Sequence, residues 1–313
     1  LAGALPAQKR VLLQPAFVPG ERTYIELVWD QEIVWFGGEL PKQGSKTSIH
    51  RVEGVWHQVE SVHPDGTAEI KLTFDRFALN RQSGERRAEF DSDFAPTEST
   101  TEEFAQIFNL MLGESAHMKV NAKAEVVSFE GMEGVREKVE AGAAGNPYLE
   151  WFTEMIADDA KRMLMETLLM FYPNRDVGVG DTWERRAAYR GQEYSLEFEV
   201  ERFGEERRRP VVIVQFTEEV EQKDPHTYSD SDSNYTIKSR RGRGGGWAFY
   251  DANTGSILRA VEEMKVTTRI DAETKDGQYA VKLKKETSYT LTSRILTEAE
   301  RKAEKRKRAG SDE

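Results

Sequence analysis

The chain contains no cysteine. Disulfides, thiolate metal sites, cysteine nucleophiles and an acylated lipoprotein cysteine are therefore excluded for it. It also lacks an apolar run of the roughly 20 residues that a membrane-spanning helix needs. Apolar residues make up only 38% of it, against 32% charged, a balance that fits a thin core beneath much solvated sheet surface. Positive charge is short overall. The formal net charge of −11 gives a field that repels nucleic acid and anionic membrane.

Signatures of chemistry are missing too. There is no Gly-x-Ser-x-Gly elbow and no HExxH, so two common hydrolytic designs have no foothold. Arg241-Gly-Arg-Gly-Gly-Gly246 lacks the Gly-Lys-Ser/Thr ending of a phosphate loop and precedes Trp247 rather than a helix; it reads as a connection at a sheet edge. Asp230-Ser-Asp232-Ser-Asn234 opens like a calcium loop, but Tyr235 and Arg241 stand where glycine and glutamate are required, so it reads as a polar loop. His50 and His57 have opposite strand parity and point to opposite faces unless a bulge at Gly54 realigns them. Glu197, Glu199 and Glu201 share one strand face, a common solvated pattern. The expectation is a non-enzymatic protein without catalytic residues, metal or cofactor.

What is present is alternation. Ile25, Leu27, Trp29, Ile33 and Trp35 recur at odd positions between polar neighbours such as Glu26, Asp30 and Glu32, the period of a half-buried strand. Lys46 to Val62 is a long β stretch with a bend at Gly54. Pro64-Asp65-Gly66 is a turn, followed by Ala68, Ile70, Leu72 and Phe74 in strict alternation. After residue 180 the pattern resumes in Tyr194, Leu196, Phe198 and Val200, and continues through long strands over 257–270 and 279–295.

Between these halves the period changes. Phe104, Ile107, Phe108 and Met111 follow a Ser/Thr-rich capping start and end at Gly113. Asn146-Pro147 opens a longer helix that runs to Pro173 and is apolar on more than one face. The resulting architecture is mainly β (α+β): a curved antiparallel sheet or open half-barrel with a helical insert at about 99–172 packed against it. Residues 1–17 form an N-terminal linker, 18–295 a single β-rich domain, and 296–313 a charged tail. That tail starts with the capping box Thr297-Glu-Ala-Glu300 but has almost no apolar face, which predicts fraying rather than packing. Gly20-Glu-Arg-Thr-Tyr24 and Gly180-Asp-Thr-Trp183 echo each other at strand starts, hinting at two related sheet segments around the insert.

The chain resembles an uncharacterised family of exported bacterial β proteins known only as a domain of unknown function. The resemblance is carried by Pro19-Gly20-Glu-Arg-Thr-Tyr24, Asp65-Gly66-Thr-Ala-Glu-Ile70, Phe74-Asp75-Arg76, Glu89-Phe-Asp-Ser92, Val179-Gly-Asp-Thr-Trp183 and Phe249-Tyr-Asp-Ala-Asn-Thr-Gly255, in that order. It implies export and a β-rich body, and transfers no catalytic residues. The layout is also similar to the half-barrel lipid and lipoprotein carriers of bacterial envelopes. Leu1-Ala-Gly-Ala-Leu-Pro-Ala7 reads as the end of a signal peptide, so a periplasmic or otherwise extracytoplasmic location is expected.

Two functional classes follow. In the first, an apolar ligand such as a lipid binds between sheet and insert, lined by Phe152, Met155, Met163, Met165, Met170 and Phe171, since methionine suits adaptable greasy contacts. In the second, the chain is a structural or assembly subunit of the cell envelope. It would then meet partner proteins through Arg240, Arg241, Arg243 and the basic tail. Neither class involves nucleic acid or a membrane span.

Overall fold

A computed structural model describes residues 9–96, 102–143, 171–189, 191–222, 224–229, 233–277 and 279–309, together with Arg162, Met165, Glu166 and Leu169. The first half contributes β1 (Val11–Leu13), β2 (Arg22–Gly37), β3 (Ser45–Val62), β4 (Ala68–Ser83), β5 (Arg86–Asp91), α1 (Glu102–Met111), β6 (Ser115–Val120), β7 (Val126–Glu130) and α2 (Glu133–Ala143). The second contributes β8 (Arg175–Val177), β9 (Thr182–Tyr189), β10 (Gln192–Glu206), β11 (Arg209–Gln222), β12 (His226–Ser229), β13 (Ser233–Asp251), β14 (Ile257–Thr274), β15 (Ala280–Leu296) and α3 (Glu298–Ala309).

Thirteen strands form one antiparallel sheet in the order β7-β6-β4-β3-β2-β15-β14-β13-β11-β10-β9, with β5 beside β4 and β12 beside β13. The ends of that path do not pair with each other, so the sheet is open. The two halves join where β2 pairs with β15, from Tyr24↔Leu296 to Gly37↔Leu283. β5 and β6 pair with successive parts of the same edge of β4. A small sheet of β1 and β8 lies apart from the main one.

The echo between the halves has a structural basis. Gly20 (φ 83°) and Gly180 (φ 83°) each occupy the left-handed corner of a tight turn, where a Cβ is disfavoured. Gly20 N donates to Val59 O and Val59 N returns a bond to Glu21 O. Gly180 N and Asp181 O make the same exchange with Val200. Immediately after each of these partners the register slips by one residue, at Glu60 against β4 and at Glu201 against β11, the mark of a β-bulge. Turn, strand, bulge and returning strand thus recur as β2-β3-β4 and β9-β10-β11.

Alternation divides each strand between two faces, and one face carries the two large hydrophobic cores. The first core gathers Ile70, Leu72, Phe74 and Phe77 of β4 with Phe108 and Met111 of α1 and Val135 and Val139 of α2. The second gathers Leu196, Phe198, Val214 and Phe216 with Val11 and Leu13 of β1, Phe171 and Tyr172. Ala124, in the turn between β6 and β7, belongs to the second core, and Asn174 donates to Lys123 O at 2.5 Å. The sheet therefore curls until the hairpin at one edge meets the core of the other half.

The end of the insert crosses the gap between the edges. Arg162 donates to Val126 O on edge strand β7 at 3.0 Å, and Arg185 on edge strand β9 donates to Tyr172 O at 2.7 Å. Met165 lies in the first core and Phe171 in the second, while Leu169 packs against both.

Two expectations are corrected. The Arg-Gly segment is not an edge connection: residues 233–251 form one continuous strand, β13, held between β11 and β14. The charged tail does not fray. Helix α3 keeps the expected capping box, with Glu300 N donating to Thr297 Oγ1 at 3.2 Å and Thr297 N to Glu300 Oε2 at 2.8 Å. It docks through ions rather than apolar residues. Arg301, 4% exposed, reaches Asp93 at 3.0 Å and Asp75 at 3.1 Å, and its guanidinium lies over the Tyr24 ring. Glu26, fully buried, accepts from Arg76, Arg294 and Arg308. Burial would raise its pKa, but Arg294 and Arg308 hold it below the ordinary carboxylate value.

Candidate functional site

Midway along the sheet the two cores do not merge. On the core-bearing face, between them, Trp29, Ile33 and Trp35 of β2 and Leu291 of β15 are only half-buried. Register aligns Trp29 with Leu291 and with Arg51 of β3. The Arg51 guanidinium stacks over the Trp29 ring, 4.1 Å from its centroid, and stands 3.7 Å from Glu53.

Beside this strip sit two buried acids, Glu218 of β11 and Glu262 of β14. They face each other across β13, which presents Gly242, Gly244 and Gly246 on that face. A Cβ at Gly242 would come within 2.7 Å of Val220 and 2.8 Å of Val266. The glycines thus let flanking side chains close over the strand. Burial, then the Glu262 charge, then a hydrogen bond with Glu262 raise Glu218 to about 9. Burial likewise raises Glu262, against the Tyr289 and Glu218 hydrogen bonds that lower it. Tyr289 Oη donates to Glu262 Oε1 at 2.8 Å and lies 3.2 Å from Met264 Sδ. At neutral pH the pair therefore retains a proton, as two carboxyls in a dry site must. Further along the same face, burial and then Arg240 push Lys285 down to about 8.

The opposite face carries a cleft of about 680 Å³ spanning six adjacent strands. Its side chains fall in two rows set by the register. One row runs Glu263, Thr290, Asp30, His50 and Asn80; the other runs Arg243, Lys265, Ser288, Glu32, Ser48 and Gln82. Gln31, Ile49, Met264 and Tyr289, alternating with them, complete the lining. His50 Nδ1 lies 2.8 Å from Asp30, Lys46 pairs with Glu32 at 2.5 Å, and Arg243 pairs with Glu219 at 2.9 Å.

Of the residues expected to line an apolar site, Met165 and Phe171 are described, each in a different core. Phe152, Met155, Met163 and Met170 lie outside the described residues. Where Met165 meets Ile25, Leu27, Val55, Leu72, Phe74 and Phe129, a space of only about 10 Å³ remains, no more than one water-sized probe. At that point the insert packs as core. Arg241 and Arg243 stand on the cleft face paired with Glu221 and Glu219, whereas Arg240 turns to the core face. The Gly54 bend appears as a register shift against β4, but pairing with β2 runs through it unbroken. His50 and His57 therefore stay on opposite faces. Among the described residues no group of three His, Asp or Glu could hold a metal ion, and no helix is long and apolar enough to cross a membrane.

Sequence reasoning missed the acid pair and the cleft. Glu218 and Glu262 were legible only as members of the apolar parity in Val214, Phe216, Val220 and in Ala260, Met264, Val266; a carboxylate in such a series was the available signal.

The fold and its faces define an open, curled antiparallel β-sheet protein with three short helices among the described residues. The chain belongs to a family of unknown function, DUF6263, whose profile matches residues 65–257. No curated protein sequence matches it. Among solved structures it is similar to an outer membrane channel from Pseudomonas putida F1, with 9% identity, a TM-score of 0.21, and coverage of 90% of this chain and 97% of the channel. It is similar also to Pseudomonas aeruginosa OccK11 (OpdR), with 6% identity, a TM-score of 0.20, and coverage of 91% and 100%. At such scores the likeness carries no argument about function.

Proposed function

We propose that this protein is a non-enzymatic, extracytoplasmic binding protein that holds an apolar or amphipathic ligand, such as a lipid, on the core-bearing face of its sheet beneath the helical insert. The observation that carries the reading is the strip of half-buried Trp29, Ile33, Trp35 and Leu291 between two cores that do not merge. Such a strip loses free energy to water, roughly 25 cal/mol for each Å² of apolar surface left wet. The acid pair beside it, which burial holds partly protonated, suits a dry surrounding. The placement of Leu169 against both cores supports an insert that closes over the strip.

The test is organic extraction of natively purified protein followed by mass spectrometry. Stoichiometric co-purifying lipid is the expected result, with loss of that lipid in a Trp29→Ser, Leu291→Ser double variant that still melts cooperatively. Clean extracts from protein purified without detergent overturn the reading. The envelope-assembly alternative predicts a stable oligomer; a monomer at high concentration in solution counts against it.

A further inference from the structure

The cleft on the other face is independent of that reading, and its chemistry is different. Its lining offers three carboxylates, Asp30, Glu32 and Glu263, against the cations Arg243 and Lys265 and the imidazole of His50. Opposite charges nearly cancel, so the cleft is not built for a polyanion or a polycation. The remaining polar side chains on this face are hydroxyls (Ser48, Ser288, Thr290) and amides (Asn80, Gln82), groups that both donate and accept. The cleft crosses from β13 to β4, five strand spacings or about 24 Å. It is thus elongated and shallow, unlike the enclosed apolar pocket of a drug-sized ligand.

Two further residues of β13 adjoin the cleft on the same face, just outside its lining. Gly245 stands directly opposite Glu263 and puts no side chain between Glu263 and β11. Trp247, the next residue of β13 on the same face, is 44% exposed. A large aromatic left exposed beside the row that runs from Glu263 to Asn80 offers a stacking platform next to dense hydrogen-bonding capacity. An elongated neutral ligand that has apolar ring faces and carries hydroxyls along its edges matches all of these features. We propose that the cleft is a binding site for a neutral oligosaccharide, with Trp247 stacking against one ring and Asp30, Asn80, Glu263 and Thr290 taking hydroxyl hydrogen bonds.

The experiment is isothermal titration of the full chain with maltotetraose, cellotetraose and chitotetraose at millimolar concentrations, alongside a neutral tetrapeptide. At least one sugar should bind while the tetrapeptide does not. Trp247→Ala and Asp30→Ala, both at exposed positions, should each weaken that binding at least tenfold with unchanged thermal melting. Trp29→Ser, on the other face, should leave it unaltered. Failure of all three sugars to bind protein that melts cooperatively overturns the proposal. So does binding that survives both cleft substitutions, or preferential binding of the peptide. Because the two faces are probed by different variants, loss of lipid and loss of sugar binding remain separable.

Discussion

Tyr24 shows how one side chain fixes the identity of a residue on the neighbouring strand. It is fully buried, and a Cβ at Gly54 would fall inside its hydroxyl. Gly54→Ala should therefore cost about 1–3 kcal/mol through overpacking, read as a shift in the urea midpoint. The Tyr24 hydroxyl has no hydrogen-bond partner among the described residues, so Tyr24→Phe should be neutral or slightly stabilising in the same assay. Glu218 sets a different expectation. Its carboxyl stays protonated up to about 9 in the folded protein, against an ordinary 4.5. Between those values the folded state binds more protons than the unfolded state, so stability falls as pH rises, by at most about 1.4 kcal/mol per pH unit for one proton. Urea midpoints at about pH 5, 6.5 and 8 should decline in the wild type and flatten in Glu218→Gln; an unchanged slope in the variant rules the assignment out. This proton linkage was invisible in sequence, because alternation reports which face a carboxylate takes but not what lies across the strand from it.

At the scale of elements, α3 is attached almost wholly by charge. Arg301→Ala would take one cation from Asp75 and from the buried Asp93, and since Asp93 keeps Arg76, Lys305 and Arg308 the cost should be about 1–3 kcal/mol, the worth of a hydrogen bond to a charged group. Lys302→Ala, which removes an exposed i,i+4 partner of Glu298, should change stability by less than about 0.5 kcal/mol. Comparing the two by denaturant titration separates an ionic dock from a solvated tail. The capping box of α3 was legible in Thr297 and Glu300, since the cap is local. Its docking was not. It depends on Glu26, Asp75 and Asp93, more than 200 positions away. The same limit applies to β13: its glycines read locally as a turn or loop, whereas strands on both sides hold them extended. Period-two strands, the Gly54 bend and the echo of Gly20 and Gly180 at strand starts were legible because each is settled by its neighbours. The helical spacing that ends in Phe108 and Met111 placed α1 but not what it packs against, since periodicity names no partner.

At the scale of the molecule, pairing of β2 with β15 joins residues near 25 to residues near 295. Topologies dominated by such distant pairings fold slowly, because loop closure precedes any compensating contact. Pulsed hydrogen exchange during refolding should show hairpins such as β10–β11 protected before the β2–β15 seam; simultaneous protection of both would contradict that order. The seam also has a mechanical consequence. The first residues of β2 lie opposite the last residues of β15, so a load applied through the two ends of the sheet pulls on Tyr24 and Leu296, which face each other across one rung of the ladder. Antiparallel hydrogen bonds lie perpendicular to the strands, so they are peeled open one rung at a time rather than sheared together. Tension that separates Tyr24 from Leu296 should therefore open the seam as a zipper, rung by rung towards Gly37 and Leu283.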